Sequence, residues 1–320
     1  MNYNTVYVTE NFEHMSDRAA DILIPELRRV TVLERKFFNG GFPTGNSPTG
    51  LYKRIAEKQD KFNASYMRSW NLDEYVGLPG KYPSERVLHP ESYAYFMIKN
   101  LFGKLDPPFK ETHIPLGTEI DQEQLEHALE ERKGYTIVGA YDGKVIDISP
   151  CCEHPYLKWI REEILDSYIE SIRLADGIDW WVVGTGGNGH IGFHESGIPL
   201  ECEMFLVKLD DKTRDNALKD GHFSKIEEVP KYAVSIGAGG ICKYSRNILL
   251  LASGDRKTEP ITRSLLGPVT SDVPISCLQD FAKDKTVVYV LDQIAAAEIL
   301  KDKEQKKLIE KGVIIKDLRK

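Results

Sequence analysis

Three ionisable side chains crowd into one short stretch: His190, His194 and Glu195, within Gly184-Thr-Gly-Gly-Asn-Gly-His-Ile-Gly-Phe-His-Glu-Ser-Gly197. An imidazole titrates near neutrality, at about 6.5 when unperturbed, and so can take up and release a proton during a reaction. A carboxylate five residues on can orient that ring and balance its charge. The glycines at 184, 186, 187 and 189 let the backbone turn sharply and approach a ligand closely. The plain alternative for His190 is a hydrogen-bonded structural histidine. A second acidic group, Asp73 beside Glu74, stands in Asn71-Leu-Asp-Glu-Tyr-Val-Gly77. Adjacent carboxylates there serve acid–base chemistry, face solvent, or cap a helix. A third segment, Pro43-Thr-Gly-Asn-Ser-Pro-Thr-Gly50, is rich in turn residues and precedes a helix start. That is either a cradle of N–H groups for a phosphate or a surface turn.

Several other chemistries fail on spacing. Gly184, Gly186 and Gly189 formally spell G-x-G-x-x-G, but the dinucleotide fingerprint needs a long helix to start at once. Gly192, Gly197 and Pro199 would break that helix. Gly45-Asn-Ser-Pro-Thr-Gly50 has the wrong spacing for a serine nucleophile elbow. Cys151-Cys-Glu-His154 offers donors, yet neighbouring cysteines rarely share an ion, and a packed loop explains them better. What survives is acid–base chemistry on a phosphorylated small molecule, with scattered Lys and Arg for the phosphate.

These groups must be carried by a repeating frame. The run Ile178–Val183 reads as a buried strand that feeds the glycine-rich loop. Residues 35–42, 67–76, 204–209, 233–236, 248–252 and 287–291 read as further strands. Helical spacing is expected over 16–30, with Pro25 kinking or splitting it, and at 51 onward, 91–101, 156–175 and 293–311. The charged tail beyond 311 has no evident core role. This alternation predicts an α/β fold, a doubly wound, mainly parallel, Rossmann-like sheet with helices on both faces. In such sheets ligands sit at the carboxyl ends of the strands. Residues 118–153 depart from the pattern with a polar helix at 121–133 and a hairpin around Asp142-Gly143. The chain is therefore expected to be one domain over 1–320 carrying that insertion.

Composition narrows the partners. A chain of 320 residues buries a full core, and 41% hydrophobic with 28% charged content is ordinary for a globular protein. No apolar run approaches the roughly 20 residues of a membrane span. Met1-Asn-Tyr-Asn4 does not open a signal peptide, and five cysteines without a CxxC pair suit a reducing cytoplasm. A net charge of −7 argues against nucleic acid while leaving room for a small anion held by local cations.

Several blocks in order resemble the glucosamine-6-phosphate deaminase (isomerase) family: PTGNSP at 43–48, NLDEYVGL at 71–78, GTGGNGHIGFHESG at 184–197, Lys-Thr-Arg at 212–214, SGDRK at 253–257 and GPVTSDVPISCLQ at 267–279. The resemblance covers roughly residues 20–100 and 156–292. It implies that Asp73 is a general base moving a proton between C2 and C1 of an opened sugar. His190 would help open the pyranose ring, Glu195 would be its carboxylate partner, and Asn188 would belong to the same group. Thr44, Gly45, Asn46, Ser47, Gly189, Arg214 and Lys257 would hold the substrate and its phosphate. The implied partner is a hexosamine 6-phosphate, with no metal or redox cofactor required. A homo-oligomer is left open.

The chain also departs from that family. Asn188 is neither acid nor base, so proton transfer falls to the His190–Glu195 pair. His194 replaces a usual Asn and is expected to bear on sugar recognition. The 118–153 insertion would either cover the site or form a subunit contact. Glu201, Glu203 and the single cation Lys208 give no reason to carry over an allosteric site. Three alternatives are a galactosamine 6-phosphate enzyme, a 6-phosphogluconolactonase of the same fold, and a sugar-phosphate-binding regulator without catalysis. The lactonases lack the Asn71–Tyr75 pattern, and a regulator would not need Asp73, His190 and Glu195 together.

Overall fold

Along Ile178–Val183, Trp180 and Val182 pack into one hydrophobic layer while Trp181 and Val183 pack into another. A strand buried on both faces requires this, and such strands occur in sheets covered by helices on both sides. In the computed structural model, which describes residues 4–219 and 221–319, that run is the middle of the molecule. Residues 1–3, on which the expectation for the N-terminus partly rests, lie outside the described residues.

The strands are β1 (Asn4–Thr9), β2 (Phe38–Phe42), β3 (Met67–Asn71), β4 (Asp73–Val76), β5 (Glu111–His113), β6 (Tyr135–Val138), β7 (Lys144–Ile148), β8 (Ile178–Val183), β9 (Met204–Lys208), β10 (Tyr232–Ile236), β11 (Ser245–Ala252), β12 (Thr286–Asp292) and β13 (Ile314–Asp317). Eight of them form a parallel sheet in the order β13-β1-β12-β11-β8-β2-β3-β5. One layer buries Tyr168 and Ile172, Ile241, and Ile261 and Leu265 from helices Ser167–Leu174, Ala238–Tyr244 and Thr258–Leu266. The other buries Met15, Ala19, Leu23 and Leu27 from helix Phe12–Arg28, with Leu51 and Met97 from Thr49–Glu57 and Tyr93–Asn100. The doubly wound parallel sheet is thus as the sequence predicts. From the β2/β8 boundary the chain winds one way through β3 and β5 and the other way through β11 and β12. Reversal of winding opens a crevice at the carboxyl ends of the strands.

Four departures from expectation matter. The predicted strand 67–76 is two strands in two sheets, parted at Leu72, whose carbonyl accepts a hydrogen bond from Ile236 N–H at 2.7 Å. The second sheet, β4-β10-β9-β7-β6, is antiparallel and also takes the strands around 204 and 233. The expected helix and hairpin form at Gln122–Glu130 and β6–β7, and the hairpin extends this second sheet through β9. Pro25 does not split its helix: the helix starts earlier than expected, capped by the Asn11 side chain, and widens to a π-helical turn only at Arg29–Leu33. The tail beyond 311 supplies β13, which pairs with β1.

Candidate active site

Four neighbouring parallel strands, β11, β8, β2 and β3, deliver four loops to one edge of the sheet. Together they line a cavity of about 480 Å3. The loop after β2 contributes Pro43 to Pro48, the loop after β8 contributes Gly184 to Gly186, His190, Gly192 and Phe193, and the loop after β11 contributes Ser253 to Lys257. Past β3 come Leu72, Asp73 and Tyr75.

The Pro43–Pro48 loop is held at its start by the Tyr52 hydroxyl, which donates to the Pro43 carbonyl. At its end, the Thr49 hydroxyl donates to Asn46 O at 2.8 Å. Helix Thr49–Glu57 begins with no side-chain cap, so its N-terminal dipole faces the loop. Across the cavity lining, Ser253 Oγ and Gly254 N–H are both fixed by the Asp292 carboxylate at the end of β12. Lys257 and Arg256 follow and also line the cavity. Thr44, Gly45, Asn46, Ser47 and Lys257 are therefore brought together around one space.

Asp73 opens β4 and is 5% exposed, opposite Ser235 of β10. Burial, and then the neighbouring Glu74 charge, hold its pKa well above the usual carboxylate value of 3.8. A carboxylate so placed is a stronger base once ionised. Glu74 points the other way. It accepts from Tyr75 N–H, Tyr93 N–H, Ala94 N–H and the Ser92 hydroxyl at 2.9–3.0 Å. Burial lifts its pKa to about 7 while these four donors pull it down. The acidic pair thus divides its labour: Asp73 faces the cavity and Glu74 caps the Tyr93–Asn100 helix.

In the glycine-rich loop, Gly186 N–H donates to the His190 carbonyl at 3.3 Å, which folds the segment back on itself. A Cβ at Gly186 would lie 2.1 Å from His190 Nε2, so only glycine leaves room for the ring. His190 Nδ1 lies 3.7 Å from a Glu195 carboxylate oxygen, too long for a hydrogen bond. Glu195 is fully buried, and neither of its oxygens has a hydrogen-bond partner among the described residues. A buried carboxylate without donors is costly unless a cation forms beside it. The group that faces it is the His190 ring. Gly192 brings the same loop to Asp73, since a Cβ there would meet Asp73 Oδ2 at 3.2 Å.

Four of the anticipated residues lie outside the cavity lining: Glu195, just described, and Asn188, Gly189 and Arg214. Asn188 Oδ1 accepts from His190 N–H at 3.4 Å. Gly189 O accepts from Ile275 N–H at 3.0 Å and anchors the loop. Arg214 donates to the Ile226 and Val229 carbonyls at 2.9 and 3.2 Å, tying helix Asp211–Lys219 to the segment after it. His194 is fully buried as well. Its Nε2–H donates to Ile198 O at 3.1 Å, and its Nδ1 accepts from Ala238 N–H at 3.0 Å. Burial lowers its pKa to about 4, so this ring is a neutral structural link and touches no ligand space. Cys152 is buried in the core of the second sheet, and His154 caps helix Pro155–Trp159 by accepting from Tyr156 N–H.

No family model matches the chain. It is, however, 33% identical over 307 residues to the glucosamine-6-phosphate deaminase of Thermoanaerobacter sp. (strain X514), covering 95% of this chain and 98% of that relative. The chain belongs to the glucosamine-6-phosphate deaminase family. The deaminase of Clostridium botulinum (strain Langeland / NCTC 10281 / Type F) is 32% identical over 298 residues, with 92% and 98% covered. Among solved structures, a monomeric glucosamine-6-phosphate deaminase superposes with a TM-score of 0.66 at 24% identity, over 92% of this chain and 99% of that one. A 6-phosphogluconolactonase from Leishmania guyanensis superposes at 0.58 and 16%, over 92% and 97%. Those two likenesses concern the fold.

Within this family member, sequence reasoning missed an aromatic wall. Tyr93 and Phe193 stack with centroids 5.7 Å apart, and Tyr75 packs on both at 5.0 and 5.2 Å. All three line the cavity and offer apolar faces to the ring carbons of a sugar. Glu91 and His222, paired at 2.8 Å, line it too. These residues come from segments far apart in the chain. The adjacency of Tyr75 to Asp73, which puts both on one short strand, was the one available hint.

Proposed function

We propose that the chain converts a hexosamine 6-phosphate, glucosamine 6-phosphate above all, with water into fructose 6-phosphate and ammonia. What carries the proposal is the convergence of Asp73 and His190, from different strands, on the cavity that Thr44–Ser47 and Lys257 also line. The names of the relatives point to the same substrate.

In this scheme the phosphate sits with Thr44, Gly45, Asn46, Ser47 and Lys257. His190 takes the C1 hydroxyl proton and passes it to the ring oxygen as the C1–O5 bond breaks, giving an open aldehyde. Glu195 stabilises the imidazolium whenever it forms. Asp73 takes the proton from C2, giving an enolamine, and returns it to C1. The resulting C2 imine adds water, and ammonia leaves from C2 to give the ketone. Asn188 orients the His190 segment, and Gly189 anchors it. Arg214 reaches the phosphate only by leaving the Ile226 and Val229 carbonyls. A buried carboxyl with a raised pKa suits the C2 step better than hydrolysis of a lactone, which breaks no C–H bond.

The chain has no helix, among the described residues, long and apolar enough to cross a membrane. Placement in the cytoplasm is part of the same reading and is supported by five cysteines that are all free thiols. The test is a panel of glucosamine 6-phosphate, galactosamine 6-phosphate and 6-phosphogluconolactone, read by ammonia release and by lactone hydrolysis. Ammonia from glucosamine 6-phosphate with fructose 6-phosphate as co-product is expected. Turnover of the lactone alone would overturn the scheme.

A further inference from the structure

The insertion neither lids the cavity nor stands away from it: none of its residues lines the cavity, and the hairpin turn packs behind the glycine-rich loop. Gly143, in the turn joining β6 to β7, is buried against the Glu195 stem. A Cβ built at 143 would lie 2.5 Å from Glu195 Cβ and 2.8 Å from its Cγ. The turn is fastened on both sides of that contact. Ala140 N–H donates to Gly197 O at 3.0 Å, and the Tyr141 ring lies against Gly197. The Tyr141 hydroxyl donates to Asp272 Oδ1 at 2.9 Å, while Gly197 N–H donates to the neighbouring Ser271 O at 2.9 Å. Lys144 Nζ closes the turn on Gly139 O at 2.7 Å.

The Glu195 carboxylate accepts no hydrogen bond from any described residue, so packing around its stem sets where it points. We propose that the inserted turn 139–143 is a positioning element, with Gly143 as the wall that holds the Glu195 carboxylate against His190. This rests on the assignment of Glu195 as the partner of His190. A side chain at 143 would push the Glu195 stem at its rigid Cβ–Cγ end, where no rotamer change relieves the overlap. The carboxylate would turn away from Nδ1 and the imidazolium would lose its counter-charge.

A double-mutant cycle on kcat tests this, using Gly143→Ala, Glu195→Gln and the pair, with thermal unfolding as the check on folding. Gly143→Ala is expected to lower kcat roughly 10- to 100-fold with KM changed less than about threefold, and to add less than about twofold on top of Glu195→Gln. Equal loss in both backgrounds would mark 143 as merely structural and overturn the proposal. So would a parent-like rate for Gly143→Ala when Glu195→Gln is slow. A fast Glu195→Gln would instead remove Glu195 from the reaction, and the positioning proposal with it. Should Gly143→Ala fail to fold, Tyr141→Phe, which removes only the bond to Asp272, replaces it in the cycle. It is expected to lose about two- to fivefold in the parent and nothing in Glu195→Gln.

Discussion

Asp73 and Glu74 are neighbours with opposite fates, because a strand points successive side chains to opposite faces. Asp73 enters the cavity, where burial and Glu74 raise its pKa; Glu74 accepts from four donors, which only partly offset its own burial. Asp73→Asn is expected to lower kcat by about 100- to 10,000-fold while affinity for inorganic phosphate is retained, measured by ammonia release and by competition. The base must be ionised to act, and burial with Glu74 raises its pKa. Activity of the parent should therefore fall as pH drops through a value above the usual 3.8, and Glu74→Gln should move that acid limb to lower pH by removing a neighbouring charge. A kcat/KM profile in which the limb stays put, or moves up, would contradict the assignment.

At the scale of elements, Glu74 clamps β4 to the N-terminus of the Tyr93–Asn100 helix. A Gln there presents an amide NH2 to backbone N–H groups that need an acceptor, so at least one of the four bonds is lost whichever way it turns. Glu74→Gln is expected to cost about 2–4 kcal/mol in urea unfolding. The parent has its own pH signature at this site. Its folded pKa of about 7 exceeds the ordinary glutamate value of 4.5, so the folded state binds more protons in that interval. Stability from this group is full below about 4.5 and is lost as pH rises through about 7, and Gln should flatten that slope. The same clamp carries Tyr93 into the aromatic wall, which links helix capping directly to the shape of the substrate site.

Across the whole molecule, the cavity lies at the ends of β11, β8, β2 and β3 and beside β4 of the second sheet, while β13 lies at the far edge, beyond β12 and β1. Removing residues 312–320 deletes β13 and the bond from Leu318 N–H to Val8 O. Tm should fall by roughly 3–6 °C in a thermal scan, and kcat should stay within about twofold. A large loss of activity at unchanged Tm would show that the tail reaches the site. Much of this architecture was legible in the chain. Buried runs alternating with amphipathic ones specify a parallel sheet, Asp142-Gly143 specifies a hairpin, and the glycine-rich run at 184–197 puts His190 and Glu195 in one loop. All of these are local: side-chain periodicity and turn preference act over a few residues. Only the tertiary structure decided that the strand at 67–76 breaks at Leu72, that Asp73 meets the loop of His190, that His194 is a buried neutral link, and that Arg214 binds carbonyls away from the cavity. It also placed the hairpin against Glu195. Each of those depends on which strand edges pair and which groups lose water together, and pairing and desolvation are set by neighbours distant in sequence.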